Sequence, residues 1–103
     1  MSSSSTATPV TVIALVRAKP GKEGELRQIL SSMVAPTRAE AGCLNYELHQ
    51  SADDATRFAF HENWTTKADL DRHLASPHVT AALAKVGPLL AEAPQITLWG
   101  RIA

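Results

Sequence analysis

The sequence has no long apolar run and no excess of charge of either sign, and each absence argues against a class of protein. No stretch approaches the roughly 20 consecutive apolar residues that a bilayer-spanning helix needs. Ten Lys and Arg balance ten Asp and Glu over 103 residues, so no net positive field would attract phosphates or anionic lipids. We therefore expect neither a nucleic-acid partner nor a membrane partner.

The N-terminus, "MSSSSTATP", has neither the charged region nor the apolar region of a secretory signal peptide. We accordingly expect a cytoplasmic protein. The Ser- and Thr-rich composition predicts a flexible tail over residues 1–8. The remainder, residues 9–103, has the length of a single domain, which buries roughly 65% of its unfolded surface.

Cysteine is nearly absent, since Cys43 is the only one. A single cysteine excludes an internal disulfide and a cysteine-rich metal cluster. Because Cys43 begins a stretch of alternating polarity, a small buried apolar side chain is favoured over a nucleophile. The sequence also has no Gly-rich nucleotide fingerprint and no nucleophile elbow, so it contains no recognisable cofactor motif.

The hydrophobic periodicity predicts alternating strands and helices. Residues 10–18 form a β-branched run that is apolar on both faces, which is typical of a strand covered on both sides. A helix is indicated from residue 23 to Gly42, with Pro36 loosening its last turn. Two alternating stretches, "CLNYELHQS" and "RFAFHENW", then predict a hairpin. They place Leu44, Tyr46 and Leu48 on one face.

The last third of the chain predicts a broken helix followed by a strand. One segment covers residues 65–76, and a second begins with Ser76 as N-cap and Pro77 at the first helical position. Its apolar face is Val79, Ala82, Leu83 and Val86, and "PQITLWGRI" closes the chain as a strand. The order β-α-β-β-α-β matches the ferredoxin-like α+β fold with an antiparallel sheet. Both helices of this fold pack on one sheet face, so the other apolar face predicts a symmetric homodimer.

His73 and His78 are the residues most suggestive of chemistry. Five positions apart on an unbroken helix, they would diverge by about 140°, unlike the i, i+4 ligand pair of a metal site. Pro77 changes that geometry but supplies no third ligand, and we expect no dedicated metal site. His73 is expected on the inner face, either as a hydrogen-bonded core residue or as a base. His78 is expected at a helix start, either solvated or as a neutral proton acceptor.

An acidic residue and several aromatic residues share the hairpin face that should meet the helices. Glu62 lies there either exposed at the rim or buried and paired, with its pKa raised if its partner is weak. If the face meets the helices, its aromatic side chains can line a flat apolar slot for an aromatic ligand. They are Tyr46, Phe58, Phe60 and Trp64.

Three stretches resemble the antibiotic biosynthesis monooxygenase domain family, most closely its small quinol monooxygenases. They are "TVIALVRAKPGKE", "TRAEAGCLNYEL" and "FHENWTTKADLDRHLASPHV", in the right order and at the right separations. The resemblance implies a dimeric ferredoxin-like α/β barrel with a pocket between sheet and helices. It also implies oxygenation of quinols or polycyclic phenols by O₂ without flavin, haem or metal.

Under this resemblance, an electron-rich hydroxyaromatic supplies the electrons to O₂ once a base has deprotonated it. His73 or His78 would be the base, and Trp64 and Tyr46 would orient the ring or donate a hydrogen bond. The substrate-binding residues would be Phe60, Met33, Glu62 and Phe58. Asn63 carries less weight, because strict alternation directs it to the other face of the sheet.

Two alternatives stay open at this point. A haem-degrading branch resembles the same family but relies on an Asn in its first strand, and "VTVIALVRA" contains none. The third interpretation is a non-catalytic dimeric module that binds a small apolar ligand.

Overall fold

The computed structural model describes residues 8–103, so all but the last residue of the expected tail lies outside the described residues. None of the helices within residues 8–103 is both long enough and apolar enough to cross a membrane. The elements are, in order, β1 (Val10–Arg17), α1 (Glu23–Ser32), α2 (Val34–Arg38), β2 (Cys43–Gln50), β3 (Arg57–Trp64), α3 (Lys67–Leu74), α4 (Pro77–Val86), a 3₁₀ turn (Gly87–Leu89) and β4 (Gln95–Trp99).

The four strands form one sheet in the order β2-β3-β1-β4, and all neighbouring strands are antiparallel. This order and the alternation of strands with helices confirm the predicted ferredoxin-like α+β fold. The register places Val12 opposite Glu62 and Val10 opposite Trp64. The end of β3 that carries Glu62 and Trp64 therefore lies beside the beginning of β1.

The core lies between the helices and one face of the sheet. Along β3 the buried residues are Phe58, Phe60, Glu62 and Trp64, alternating with more exposed neighbours, as the period of two requires. Asn63 lies on the opposite face, as predicted. There its Oδ1 accepts a hydrogen bond from Thr11 Oγ1, and its Nδ2 donates one to Oδ1 of Asn45.

The first predicted helix is divided into two. Helix α1 ends at Ser32, and α2 begins at Val34 after a single intervening residue, Met33. Pro36 has no N–H to donate to the carbonyl of Ser32, and its ring crowds that carbonyl, so the break falls one turn before the proline. Met33 and Thr37 stay buried on the inner side across this break.

In β2 and in α4, one residue of the predicted apolar face is exposed instead of buried. Leu44 is exposed, although Tyr46 and Leu48 of the same predicted face are buried and half-buried. The register of β2 against β3 shifts between Cys43 and Asn45, and this irregularity takes Leu44 off the inner face. Leu83 of α4 is also exposed, because only Val79, Ala82 and Val86 of that helix reach the core.

The second face of the sheet is open in the single chain. Ile13 and Leu15 of β1 are substantially exposed there, and Trp99 of β4 lies on the same side. Every residue of β4 is exposed, including Ile96 and Leu98, which face the helix side. An apolar edge strand without cover on either side is an unusual surface for a monomer.

Candidate functional site

Two histidine side chains, one from α3 and one from α4, converge on one carboxylate oxygen of Glu40. Oε2 of Glu40 lies 2.8 Å from Nδ1 of His73 and 3.0 Å from Nε2 of His78. His73 is 3% exposed, Glu40 19% and His78 28%, so the cluster extends from the core to the surface. An ionised carboxylate can only accept hydrogen bonds, and each imidazole nitrogen that faces Glu40 therefore carries the donated proton.

Glu40 is held by the tight turn that connects α2 to β2. Its N–H donates to the carbonyl of Thr37 at 3.0 Å, and its own carbonyl accepts from the N–H of Cys43 at 3.2 Å. The turn ends at Gly42, which has φ +85°. A Cβ at this position would lie 2.3 Å from Cγ of Asp69 in α3, so both the backbone conformation and the close approach of α3 require glycine.

The two histidines are positioned by the ends of α3 and α4. The side chain of Thr66 caps α3 by accepting from the N–H of Asp69, and this helix carries His73. Ser76 precedes Pro77 at the start of α4, as predicted, but its hydroxyl donates to the carbonyl of His73 at 2.6 Å instead of capping α4. The short connection therefore ties the backbone of His73 to the helix that carries His78.

The structure brings the two histidines together. Their ring centroids lie 6.0 Å apart, and both rings contact Glu40. The predicted divergence held only for an unbroken helix, and the break at Pro77 turns α4 back towards α3. Sequence reasoning missed Glu40, which lies in a turn far from both histidines along the chain. Its only sequence signal was its place within the stretch "TRAEAGCLNYEL".

Aromatic rings form the inner wall of the cluster. The ring of His73 packs against Trp64 at 4.7 Å between centroids and against Tyr46 at 5.4 Å in an edge arrangement. Tyr46 packs in turn against Phe60 at 4.9 Å. The structure thus brings the rings of these four predicted site residues into contact, and Trp64 and Tyr46 are almost completely buried.

Glu62 is the second buried carboxylate at this end of the sheet. It is 5% exposed, and one oxygen accepts a hydrogen bond from Nε1 of Trp64 at 2.9 Å. Burial raises the pKa of Glu62, the Trp64 hydrogen bond opposes that rise, and the charge of Glu40 adds to it. Of the two arrangements that the sequence allowed, Glu62 adopts the buried and paired one. The indole N–H of Trp64 therefore already donates its hydrogen bond to Glu62.

The phenol of Tyr46 connects the aromatic wall to the histidines. Burial raises its pKa well above the ordinary value, with a smaller contribution from Glu62, while a hydrogen bond with Thr37 opposes the rise. Thr37 Oγ1 lies in turn 3.2 Å from Nε2 of His78. A chain of polar contacts therefore leads from Tyr46 through Thr37 and His78 to Glu40.

One predicted substrate-binding residue, Phe58, lies apart from this cluster. Phe58 is six residues from Trp64 along β3, which corresponds to about 20 Å in an extended strand. It borders clefts at the other end of the sheet. Met33 is buried one turn before Thr37, whose N–H donates to the Met33 carbonyl. A third cleft, of about 290 Å³, is lined by Tyr46, but neither it nor the other two is lined by His73 or Trp64.

The fold and the cluster define a small ferredoxin-like α+β domain with a carboxylate–histidine pair against an aromatic wall. The family model described as "Antibiotic biosynthesis monooxygenase" matches residues 9–85. The chain belongs to this family, as its sequence indicates.

Individual relatives agree with the assignment. Rv0793 of Mycobacterium tuberculosis, provisionally named a monooxygenase, is 40% identical over 91 residues, which cover 88% of this chain and 89% of Rv0793. Its solved structure matches with a TM-score of 0.88 over 93% of this chain and 97% of that chain. PA3566 of Pseudomonas aeruginosa matches at 39% identity and a TM-score of 0.89, over 95% and 98% of the two chains.

Proposed function

We propose that the protein is a cofactor-independent monooxygenase that oxidises a quinol or polycyclic phenol with O₂. The observation that carries the proposal is the contact of Glu40 with His73, whose ring packs directly against Trp64. A base held by a carboxylate against a flat aromatic surface is the arrangement that deprotonation of a bound hydroxyaromatic requires. Family membership and the names of relatives support the oxygenase class.

His73 is the proposed base, and Glu40 is its positioning residue. With the Nδ1 proton donated to Glu40, the neutral imidazole of His73 leaves Nε2 free to accept a proton. The carboxylate both fixes this tautomer and stabilises the imidazolium that forms. His78 contacts the same oxygen and is more exposed. We assign to it a supporting role at the solvent side of the site.

The reaction can proceed without an additional reductant when the substrate carries the electrons. His73 accepts the phenolic proton, and the resulting anion transfers an electron to O₂. Recombination forms a carbon–oxygen bond and a hydroperoxide. Loss of water then leaves a carbonyl, so the phenolic O–H, one ring C–H and O₂ give two C=O groups and H₂O. Protonation of the peroxide requires a nearby acid, and the imidazolium of His73 holds the proton removed in the first step.

Substrate access requires a local opening. His73 and Trp64 are almost completely buried, so a ring can reach Nε2 of His73 only if part of the surrounding structure moves. We propose that α3 and the connection to α4 move away from the sheet. Helix α3 has only eight residues. Both histidines lie next to this connection, whereas Glu40 lies on a separate turn. The buried aromatic surface of Trp64, Tyr46 and Phe60 would then line the opened slot.

We also propose a homodimer that buries the open sheet face. Ile13, Leu15 and Trp99 on this face, together with the exposed strand β4, provide the apolar surface. Light scattering coupled to gel filtration should give about twice the 11.0 kDa chain mass. Leu15→Asp should shift the protein towards the monomer, since it places a charge in the interface, whereas Leu83→Asp on the exposed side of α4 should leave the mass unchanged.

The decisive test of the activity is O₂ consumption by chelator-treated protein with a panel of hydroquinones and anthrones. We expect uptake above the autoxidation rate and incorporation of one ¹⁸O atom from ¹⁸O₂ into the product. If no substrate of the panel increases uptake, the catalytic proposal is wrong. A melting temperature that rises with an aromatic ligand would then favour the non-catalytic binding module, and a Soret shift on haem titration would favour the haem alternative.

A further inference from the structure

We propose that Glu40, His73 and His78 form a binding site for a divalent transition-metal ion. One donor atom from each residue, Oε2, Nδ1 and Nε2 respectively, lies within 4.8 Å of the other two. The inference is independent of the oxygenase reaction, because metal binding can be measured without any aromatic substrate.

The spacing of the donors suits a single ion after a small contraction. The carboxylate oxygen lies 2.8 Å and 3.0 Å from the two nitrogens. These separations resemble those between neighbouring ligands on a metal with bond lengths of about 2.0 to 2.2 Å. The two nitrogens lie within 4.8 Å of each other, so the donors would need to move inward to reach metal–ligand bond lengths of about 2.0 to 2.2 Å. Side-chain rotation of His78 and Glu40, which are only partly buried, can supply most of this movement.

The donor set selects the class of ion. Two imidazoles and one carboxylate suit Zn²⁺, Fe²⁺, Co²⁺ or Cu²⁺, whereas Mg²⁺ and Ca²⁺ prefer oxygen ligands. Three protein ligands leave at least one coordination position for water or another small ligand. Since His78 and Glu40 reach the surface, an ion can enter without unfolding the domain.

The proposed metal site and the proposed base use the same imidazole, that of His73, in two different tautomers. An ion that binds the Nδ1 lone pair of His73 displaces the proton that this atom donates to Glu40. The ion-loaded and the hydrogen-bonded arrangements therefore exclude each other. We accordingly expect a bound ion to inhibit deprotonation by His73 rather than to assist it.

The rest of the chain offers a matched internal control. His61 and Glu47 also form a histidine–carboxylate pair, at 3.6 Å, but both are about half exposed. Among the described residues, Glu40, His73 and His78 are the group of three donors that could hold an ion. A pair of exposed donors without a third ligand should bind an ion far more weakly.

The test is calorimetric titration of the tag-free, chelator-treated full chain with Zn²⁺, together with the visible spectrum after Co²⁺ addition. We expect one site per chain and d–d absorption typical of mixed nitrogen and oxygen ligands. Glu40→Gln and His78→Ala should each weaken Zn²⁺ affinity at least tenfold, and His61→Ala should leave it within twofold. Circular dichroism and thermal melting verify that each variant is folded.

Three results would overturn the metal site. They are the absence of a stoichiometric Zn²⁺ site in the wild-type chain, unchanged affinity in a folded His78→Ala variant, and loss of the site in His61→Ala. None of them bears on O₂ uptake by metal-free protein, so failure of the metal site and failure of the oxygenase proposal remain distinguishable.

Discussion

Residues 8–103 contain two histidine–carboxylate clusters, one on each face of the sheet, and they differ in burial and distance rather than in residue type. On the helix side, Glu40 lies 2.8 Å from His73, whose side chain is almost closed to solvent. On the open side, Glu47 lies 3.6 Å from a half-exposed His61. An exposed ion pair contributes between 0 and about 1 kcal/mol, whereas a buried hydrogen-bonded group is costly to leave without its partner. The same two residue types therefore form a fixed geometry in one place and a loose contact in the other.

The largest expected effect comes from removing the buried histidine. His73→Ala eliminates the proposed base, and loss of a general base typically lowers turnover by about 10²- to 10⁴-fold. Steady-state O₂ uptake with the best substrate of the panel measures this loss. His61→Ala on the open face is the control and should retain wild-type turnover. Turnover of a folded His73→Ala variant within twofold of wild type would contradict the assignment of the base.

Glu40→Gln should have the next largest effect. The amide keeps the shape of the carboxylate but loses the charge that stabilises the imidazolium, so we expect kcat to fall by roughly 10- to 100-fold. KM should change little, because Glu40 does not contact the substrate in the proposed arrangement. The separation of kcat from KM distinguishes positioning from general destabilisation. Glu47→Gln should change neither constant, and a fall in its kcat equal to that of Glu40→Gln would remove the contrast between the clusters.

Glu62→Gln tests how burial changes the pKa of a carboxylate that lies close to the buried cluster. Burial raises the folded-state pKa of Glu62 above its ordinary 4.5, so the folded chain binds more protons than the unfolded chain in the window above pH 4.5. The contribution of Glu62 to stability is therefore fully present below about pH 4.5 and is lost as pH rises through the folded-state pKa.

Removing the carboxyl should thus make the variant progressively more stable relative to wild type as pH increases through this window. Thermal melting between pH 4 and 8 measures the difference, and Gln can still accept the Trp64 hydrogen bond. A constant difference for Glu62→Gln would mean that burial does not perturb this group.

The smallest effect is expected on the open face. His61→Ala removes an exposed contact, and surface substitutions of this kind usually change the free energy of unfolding by no more than about 0.5 kcal/mol. Urea unfolding monitored by tryptophan fluorescence gives the value. A destabilisation of 2 kcal/mol or more would show that the exposed cluster is as constrained as the buried one.

Much of the fold could be predicted from local patterns because those patterns act over a few residues. The alternation in "RFAFHENW" predicted the limits of β3 and placed Glu62 and Trp64 on the same face of the strand. The Ser76-Pro77 pair predicted the break between α3 and α4. The prediction of Leu44 on the inner face was wrong, because a register shift in a strand pair depends on both strands. The break between α1 and α2 differs from the prediction as well. Pro36 was expected to loosen the last turn of a single helix, whereas α1 ends one turn before this proline.

The candidate site was predictable only in part. His73 could be placed on the inner face of a helix, and Trp64 on a facing strand, from periodicity alone. Glu40 could not be found in this way, because no spacing relates it to residues more than 30 positions away. The contact depends on the Gly42 turn and on the close approach of Asp69.

The sequence by itself determined the order of the elements, the apolar alternation of each strand and the family to which the chain belongs. These properties follow from periodicity and turn chemistry, which are local, and from stretches that resemble other members. Only the tertiary structure decided which polar groups meet. The Gly42 turn brings Glu40 under α3, and the break at Pro77 turns His78 back towards His73, so that both histidines contact one carboxylate oxygen. Such convergence depends on the packing of separate elements, and no local pattern along the chain encodes it.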